Sequence, residues 1–350
     1  MGTFVTTTTT TLTDTAKELV AGGKGLLAMD ESTKTCNKRF AVLGIPQTVE
    51  FRRDYRELLV TTPGLGESIS GAILYDETIR QSTTSGKSFV SVLNQAGIIP
   101  GIKVDTGTVE MVGHPAERVT NGLDGLRERL AEYTSLGARF AKWRAAFSIG
   151  DGRPSRACIE ANASSLARYA ALCQEMGFVP IVEPEVLMTG SHSMQRCHDV
   201  TEEVLYRVFV ALNDHDVALD AMLLKPNMVL PGLSCPTQES LDEVAKATLH
   251  CLMGTVPDDV AGIAFLSGGQ SPELASARLN AMNLPTSEAL PWPLAFSFGR
   301  ALQQPTLDIW HGDESNVIGA QLELAQRARC NWAARQGEYS EALEPLRTPS

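Results

Sequence analysis

Lys225 stands in Leu223-Leu224-Lys225-Pro226-Asn227, a lysine set in a short apolar run that reads as a buried strand. Desolvation disfavours an ammonium, so a lysine in such surroundings tends to deprotonate and become a nucleophile toward a carbonyl. The same pentapeptide also fits a lysine that snorkels to the surface from a strand end. Its company decides between the two. Asp30, Lys103 with Asp105, Lys142 with Arg144, and Glu183 with Glu185 fall toward the ends of other apolar runs. Side chains alternate along a strand, so Lys142 shares a face with Arg144, and Glu183 shares one with Glu185. If those faces turn inward, cations and carboxylates surround Lys225. Such a cluster suits imine chemistry. Lys142 disfavours the protonated form of Lys225 by like-charge repulsion, and a nearby carboxylate moves protons as a carbinolamine forms and loses water. Any one of these residues also reads as half of a structural ion pair, but the ensemble exceeds what packing needs.

Two further groupings point to anions. Ser267-Gly268-Gly269 precedes a helix signal, and Gly299-Arg300 ends the last apolar run. Backbone N–H groups at a helix N-terminus hold phosphate, and glycine permits close approach. A Ser-Gly-Gly stretch is also an ordinary turn, and its placement with an arginine gives it weight. A second anion site is expected where Lys103, Arg144 and the Ser32-Thr33-Lys34-Thr35 loop meet. Two phosphate sites flanking a nucleophilic lysine imply a bisphosphorylated sugar as substrate.

The elements that must position these groups are eight strand-length apolar runs, at 25–30, 71–76, 100–105, 140–147, 179–187, 222–229, 262–269 and 293–300. Segments of helical period lie between them. Leu126, Leu130, Tyr133 and Leu136 share a face before Gly137, and Val200, Val204 and Val208 form a stripe with Leu205, Phe209 and Leu212. Ser271-Pro272 supplies an N-cap with a proline at the first helical position, and Gly177 a C-terminal stop. Eight alternations without a linker predict a single (β/α)8 barrel with extra helices, whose chemistry sits at the C-terminal ends of the strands. An open doubly wound sheet is the alternative, but no G-x-G-x-x-G follows the first run. The expected organisation is a disordered threonine-rich arm over residues 1–13, the barrel over 14–335, and a short tail over 336–350.

A formal net charge of −11 over 350 residues argues against nucleic acid as a partner. No apolar run approaches the ~20 residues of a membrane helix, so no membrane association is expected. Seven scattered cysteines, with no C-x-x-C pair, suggest reduced thiols in a cytoplasmic setting. A plastid location stays open if a transit peptide has been removed. The six histidines have no metal-binding spacing, and neither a metal nor another cofactor is expected.

Taken together, Ala28-Met29-Asp30-Glu31-Ser32, Gly101-Ile102-Lys103-Val104-Asp105, Phe140-Ala141-Lys142-Trp143-Arg144, Val182-Glu183-Pro184-Glu185, Leu223-Leu224-Lys225-Pro226-Asn227, Leu266-Ser267-Gly268-Gly269-Gln270 and Phe296-Ser297-Phe298-Gly299-Arg300 resemble class I, Schiff-base fructose-1,6-bisphosphate aldolase. The motifs follow the family's order across nearly the whole chain. The resemblance implies reversible cleavage of fructose 1,6-bisphosphate to dihydroxyacetone phosphate and glyceraldehyde 3-phosphate without a metal, by a homo-oligomer, usually a tetramer. It implies that Lys225 forms the Schiff base, Glu183 is its acid/base, Asp30 faces the hydroxyl whose proton leaves, Lys142 supports the intermediates and Glu185 lines the site. Ser267, Gly268, Gly299 and Arg300 match the C1-phosphate loop. Ser32, Thr35, Lys103 and Arg144 match the C6-phosphate side, with Arg39 as a helper. Thr35-Cys36-Asn37-Lys38-Arg39 resembles the plastid and cyanobacterial branch more than the animal one. Eukaryotic members carry a tail ending in a tyrosine that reaches the active site, whereas this chain is read as ending at Arg347-Thr348-Pro349-Ser350 without one. Another group, or Tyr339 from an unusual position, is then expected to handle proton transfer at the enamine. The rival readings are another lysine-dependent enzyme such as transaldolase, and a non-catalytic scaffold with this fold.

Overall fold

The computed structural model describes residues 4–285 and 289–344. Eight parallel strands close into a barrel: Gly25–Met29, Ile69–Leu74, Ile99–Lys103, Phe140–Phe147, Val179–Val186, Leu223–Leu224, Ile263–Phe265 and Leu294–Phe298. Each of the eight expected runs overlaps one of them, with the second and third strands beginning before the expected 71 and 100. Each strand pairs with its neighbours in sequence, and the first closes the ring against the eighth through Leu26↔Ser297 and Leu27↔Phe298. The expected (β/α)8 barrel is therefore the observed fold.

Alternation divides each strand between two cores. Leu26, Ala28, Ile73, Ile99, Phe140, Val179, Ile181, Leu223, Ala264 and Ala295 point inward and pack with Leu12, Ala16 and Leu19 of the helix Phe4–Leu19. That helix thus closes the N-terminal mouth of the barrel. Gly101 has no Cβ because one there would lie 2.2 Å from the Phe140 ring that fills the interior. The outward residues, among them Leu27, Ile102, Trp143, Val182 and Leu224, meet the surrounding helices. Helix starts follow side-chain caps: Ser155, Ser193 and Ser271 each accept a backbone N–H two or three residues into the helix, and Ser240 forms a full capping box with Glu243.

Several expectations differ in detail. The sixth strand is Leu223–Leu224 where 222–229 was expected, because Pro226 has no N–H to continue a ladder. Its Lys225 therefore follows the last paired residue. Residues 4–13 of the arm expected as unstructured fall within the helix Phe4–Leu19, in which Leu12, Ala16 and Leu19 are buried. A two-stranded antiparallel hairpin, Gly107–Glu110 with Arg118–Asn121, was not anticipated, nor were the helices Thr33–Val42 and Val49–Val60. The tail is described to Glu344, and Arg347 to Ser350 lie outside the described residues. Among the described residues no helix is long and apolar enough to cross a membrane, and the seven cysteines are free thiols.

Candidate active site

The inward columns of the barrel end in the ionisable residues. Leu26 and Ala28 lead to Asp30, Phe140 to Lys142 and then Arg144, Val179 and Ile181 to Glu183 and Glu185, and Leu223 to Lys225. A period of two thus converts a hydrophobic stack into a polar floor at the C-terminal mouth. Above it opens a cleft of about 1300 Å³, lined by all fourteen residues singled out from the sequence as catalytic or phosphate-binding. They are Asp30, Ser32, Thr35, Arg39, Lys103, Lys142, Arg144, Glu183, Glu185, Lys225, Ser267, Gly268, Gly299 and Arg300.

Charge is paired in a chain across the floor. Lys225 Nζ lies 3.1 Å from Glu183 Oε1, Glu183 Oε2 lies 3.0 Å from Lys142 Nζ, and Lys142 Nζ lies 2.7 Å from Asp30 Oδ2. Lys225, Glu183 and Lys142 are each 3 or 4% exposed, so these contacts act with little screening by water. Burial pushes the Asp30 carboxyl up, but Lys142 and then Lys225 outweigh it and hold the group at about 2. Glu183 is likewise opposed by burial and held below the usual carboxylate range by Lys142, Lys225 and Arg144. Burial pulls the Lys142 ammonium down, while Asp30 and Glu183 more than offset it and raise its pKa well above the ordinary lysine value. Both carboxylates are thus ionised and Lys142 is a fixed cation at neutral pH. The repulsion expected between Lys142 and Lys225 acts across an intervening carboxylate, since Glu183 bridges them.

One wall carries the Ser267 turn and Arg300. Gly268 and Gly269 take left-handed φ values of 57° and 87°, which close the turn through Gln270 N–H donating to Ser267 O at 3.0 Å. Arg300 begins the helix Arg300–Trp310, with Gly299 at its cap. The opposite wall is a helix N-terminus where a loop was expected: Ser32 caps Thr33–Val42, and its Oγ accepts from Thr35 N–H at 3.3 Å. Lys103 and Arg144 reach the same cleft, but each already has a carboxylate, Asp105 and Glu185 respectively, both at 2.5 Å. Arg39 donates to Glu31 at 2.6 Å.

Some partners escaped the sequence reading. Glu31 is clamped between Arg39 and Arg56 Nη2, the latter at 2.9 Å. Gln303 Nε2 donates to the Ala28 carbonyl while its Oε1 accepts from Tyr55 at 3.0 Å. Ser297, 1% exposed, lines the cleft, its Oγ has no hydrogen-bond partner among the described residues, and its inward position was readable from the alternation with Ala295. Tyr339 does not line the cleft; its hydroxyl donates to Glu344 Oε1 at 2.7 Å and its N–H to Asn280 Oδ1 at 2.8 Å. The position expected to bring Tyr339 to the enamine is therefore not the one it occupies.

Comparison with known proteins finds relatives over nearly the whole chain. The family described as fructose-bisphosphate aldolase class-I matches residues 11–348. A probable class 1 fructose-bisphosphate aldolase of Xylella fastidiosa is 54% identical over 329 residues, covering 94% of this chain and 98% of that protein. A cytosolic fructose-bisphosphate aldolase of Arabidopsis thaliana is 52% identical over 317 residues, covering 91% of this chain and 80% of its own. Among solved structures, the fructose-bisphosphate aldolase of Plasmodium falciparum superposes with a TM-score of 0.93 at 47% identity, over 95% of this chain and 96% of the other.

Proposed function

The chain belongs to the class I fructose-bisphosphate aldolase family, and we propose that Lys225 is the amine through which this lyase works. The observation that carries the assignment is the single carboxylate, Glu183, held between Lys225 and Lys142 at 3.1 and 3.0 Å.

The neutral Lys225 amine adds to the C2 carbonyl of fructose 1,6-bisphosphate, giving a carbinolamine. Attack requires the amine to lose a proton, and Glu183 Oε1 is within reach to take it. Returned to the carbinolamine hydroxyl, that proton lets water leave and an iminium form. Asp30, ionised at neutral pH, accepts the C4 hydroxyl proton. The C3–C4 bond breaks, glyceraldehyde 3-phosphate departs, and the bonding electron pair moves onto the iminium to give an enamine. Protonation at C3 and hydrolysis then release dihydroxyacetone phosphate and restore Lys225. Lys142 stays charged throughout and steadies the negative charge that develops beside it.

The Ser267 turn with Gly268, Gly299 and Arg300 takes the C1 phosphate. Ser32 and Thr35 at their helix N-terminus take the C6 phosphate with Lys103, Arg144 and Arg39, while Glu185 holds Arg144 in place. Substrate phosphate would compete with carboxylates already on those cations. Family resemblance further supports a cytoplasmic homo-oligomer, usually a tetramer, which light scattering on the purified chain would test.

Replacing Lys225 with Arg tests the assignment, because a guanidinium stays charged and cannot add to a carbonyl. Cleavage of fructose 1,6-bisphosphate is expected to fall to background in a folded variant. Substantial residual turnover would refute the role of Lys225.

A further inference from the structure

The Ser267–Gln270 turn joins the seventh strand to the helix Pro272–Asn283, and two left-handed glycines at its centre leave its peptide planes free to rotate at small cost. A second donor reaches the carbonyl that closes the turn: Gln270 Nε2 donates to Ser267 O at 3.0 Å. The carboxamide is itself held. Its Oε1 accepts from Arg278 Nη1 at 2.8 Å, which fixes the amide nitrogen on the side of the loop. Arg278 is only 5% exposed and burial pulls its pKa below the ordinary arginine value. Its Nε has no hydrogen-bond partner among the described residues. A buried guanidinium with an open N–H is costly, so apolar packing alone does not account for this side chain.

Peptide planarity supplies the link to the cleft. In a trans peptide the carbonyl and the following N–H point in opposite directions. Drawing the Ser267 carbonyl toward Gln270 therefore turns the Gly268 N–H the other way. Ser267 and Gly268 line the cleft, whereas Gln270 does not. A Cβ on Gly269 would lie 3.1 Å from Arg300 Nη2, so the same turn also abuts the phosphate-binding arginine.

We infer that Arg278, acting through Gln270, is a positioning residue that keeps the Gly268 N–H directed at the substrate phosphate and so sets affinity for the phosphorylated ketose end. The inference rests on reading this turn as a phosphate site.

The test measures half-saturation of borohydride trapping by dihydroxyacetone phosphate and, in parallel, by unphosphorylated dihydroxyacetone. Gln270→Glu keeps an acceptor for Arg278 but cannot donate to Ser267. Gln270→Met removes both contacts without adding charge, and Arg278→Met removes the guanidinium. Loss of one aligned hydrogen bond predicts a rise of about tenfold in half-saturation for dihydroxyacetone phosphate, with dihydroxyacetone unchanged. Arg278→Met should add nothing in the Gln270→Met background, since the two act in series. If Arg278→Met does not fold, Gln270→Glu, whose buried pair with Arg278 is retained, carries the test. Unchanged phosphate affinity in the Gln270 variants, or equal weakening for both ketones, overturns the inference while leaving the phosphate site intact. Equal affinity of the parent for the two ketones would instead overturn the phosphate-site reading, and the inference with it.

Discussion

Glu183 Oε1 lies 3.1 Å from Lys225 Nζ. In the proposed mechanism this one carboxylate relays the protons for every step in which the lysine nitrogen gains or loses a bond, while its other oxygen lies 3.0 Å from Lys142 Nζ. Glu183→Gln keeps the shape of the side chain and removes the relay. Its kcat is expected to fall by about 10²–10⁴-fold with KM changed far less, because the proposed phosphate contacts lie elsewhere. Steady-state cleavage assays check this, and near-parental turnover would assign the proton transfers to another group.

Acid stability should report the pairing of Asp30. Its folded pKa of about 2 lies below the ordinary aspartate value of 3.8, so the pairing stabilises the fold above the unfolded value and is lost as pH falls toward the folded one. The shift corresponds to on the order of 2 kcal/mol. Thermal melts of the parent and of Asp30→Asn should therefore differ most above pH 4 and converge between pH 4 and 2. A constant gap across that window would show that Asp30 contributes packing only.

Tyr339 is bound away from the cleft by Glu344 and Asn280, and Glu344 in turn pairs with the buried Arg327. Tyr339→Phe is expected to leave kcat within about twofold while costing about 1 kcal/mol of stability through the lost hydroxyl contact. A loss of turnover larger than the loss of folded protein would place the phenol in the reaction.

Much of this was legible in the chain because barrel strands and their polar ends obey one rule. Strands buried on both faces read as short apolar runs, and a side-chain period of two carries the inward column up to Asp30, Lys142, Glu183 and Lys225. The hairpin Gly107–Glu110 with Arg118–Asn121 was not legible, since its short, partly exposed mix of residues carries neither period. Nor were several partners of the cations. Nothing local marks Glu31 for Arg39 and Arg56, or Arg278 for Gln270, because such pairings depend on how neighbouring elements pack. The length of the sixth strand failed for the opposite reason: Pro226 was in plain view, but the apolar run on either side of it outweighed it.

The central claim, that Lys225 forms the covalent intermediate, is tested most directly by borohydride reduction in the presence of dihydroxyacetone phosphate followed by peptide mass mapping. A stable adduct on the peptide carrying Lys225, absent without the ketose and absent in Lys225→Arg, is the predicted result. Rapid cleavage of fructose 1,6-bisphosphate with no adduct on Lys225, or with the adduct on Lys142 or Lys103, would contradict it.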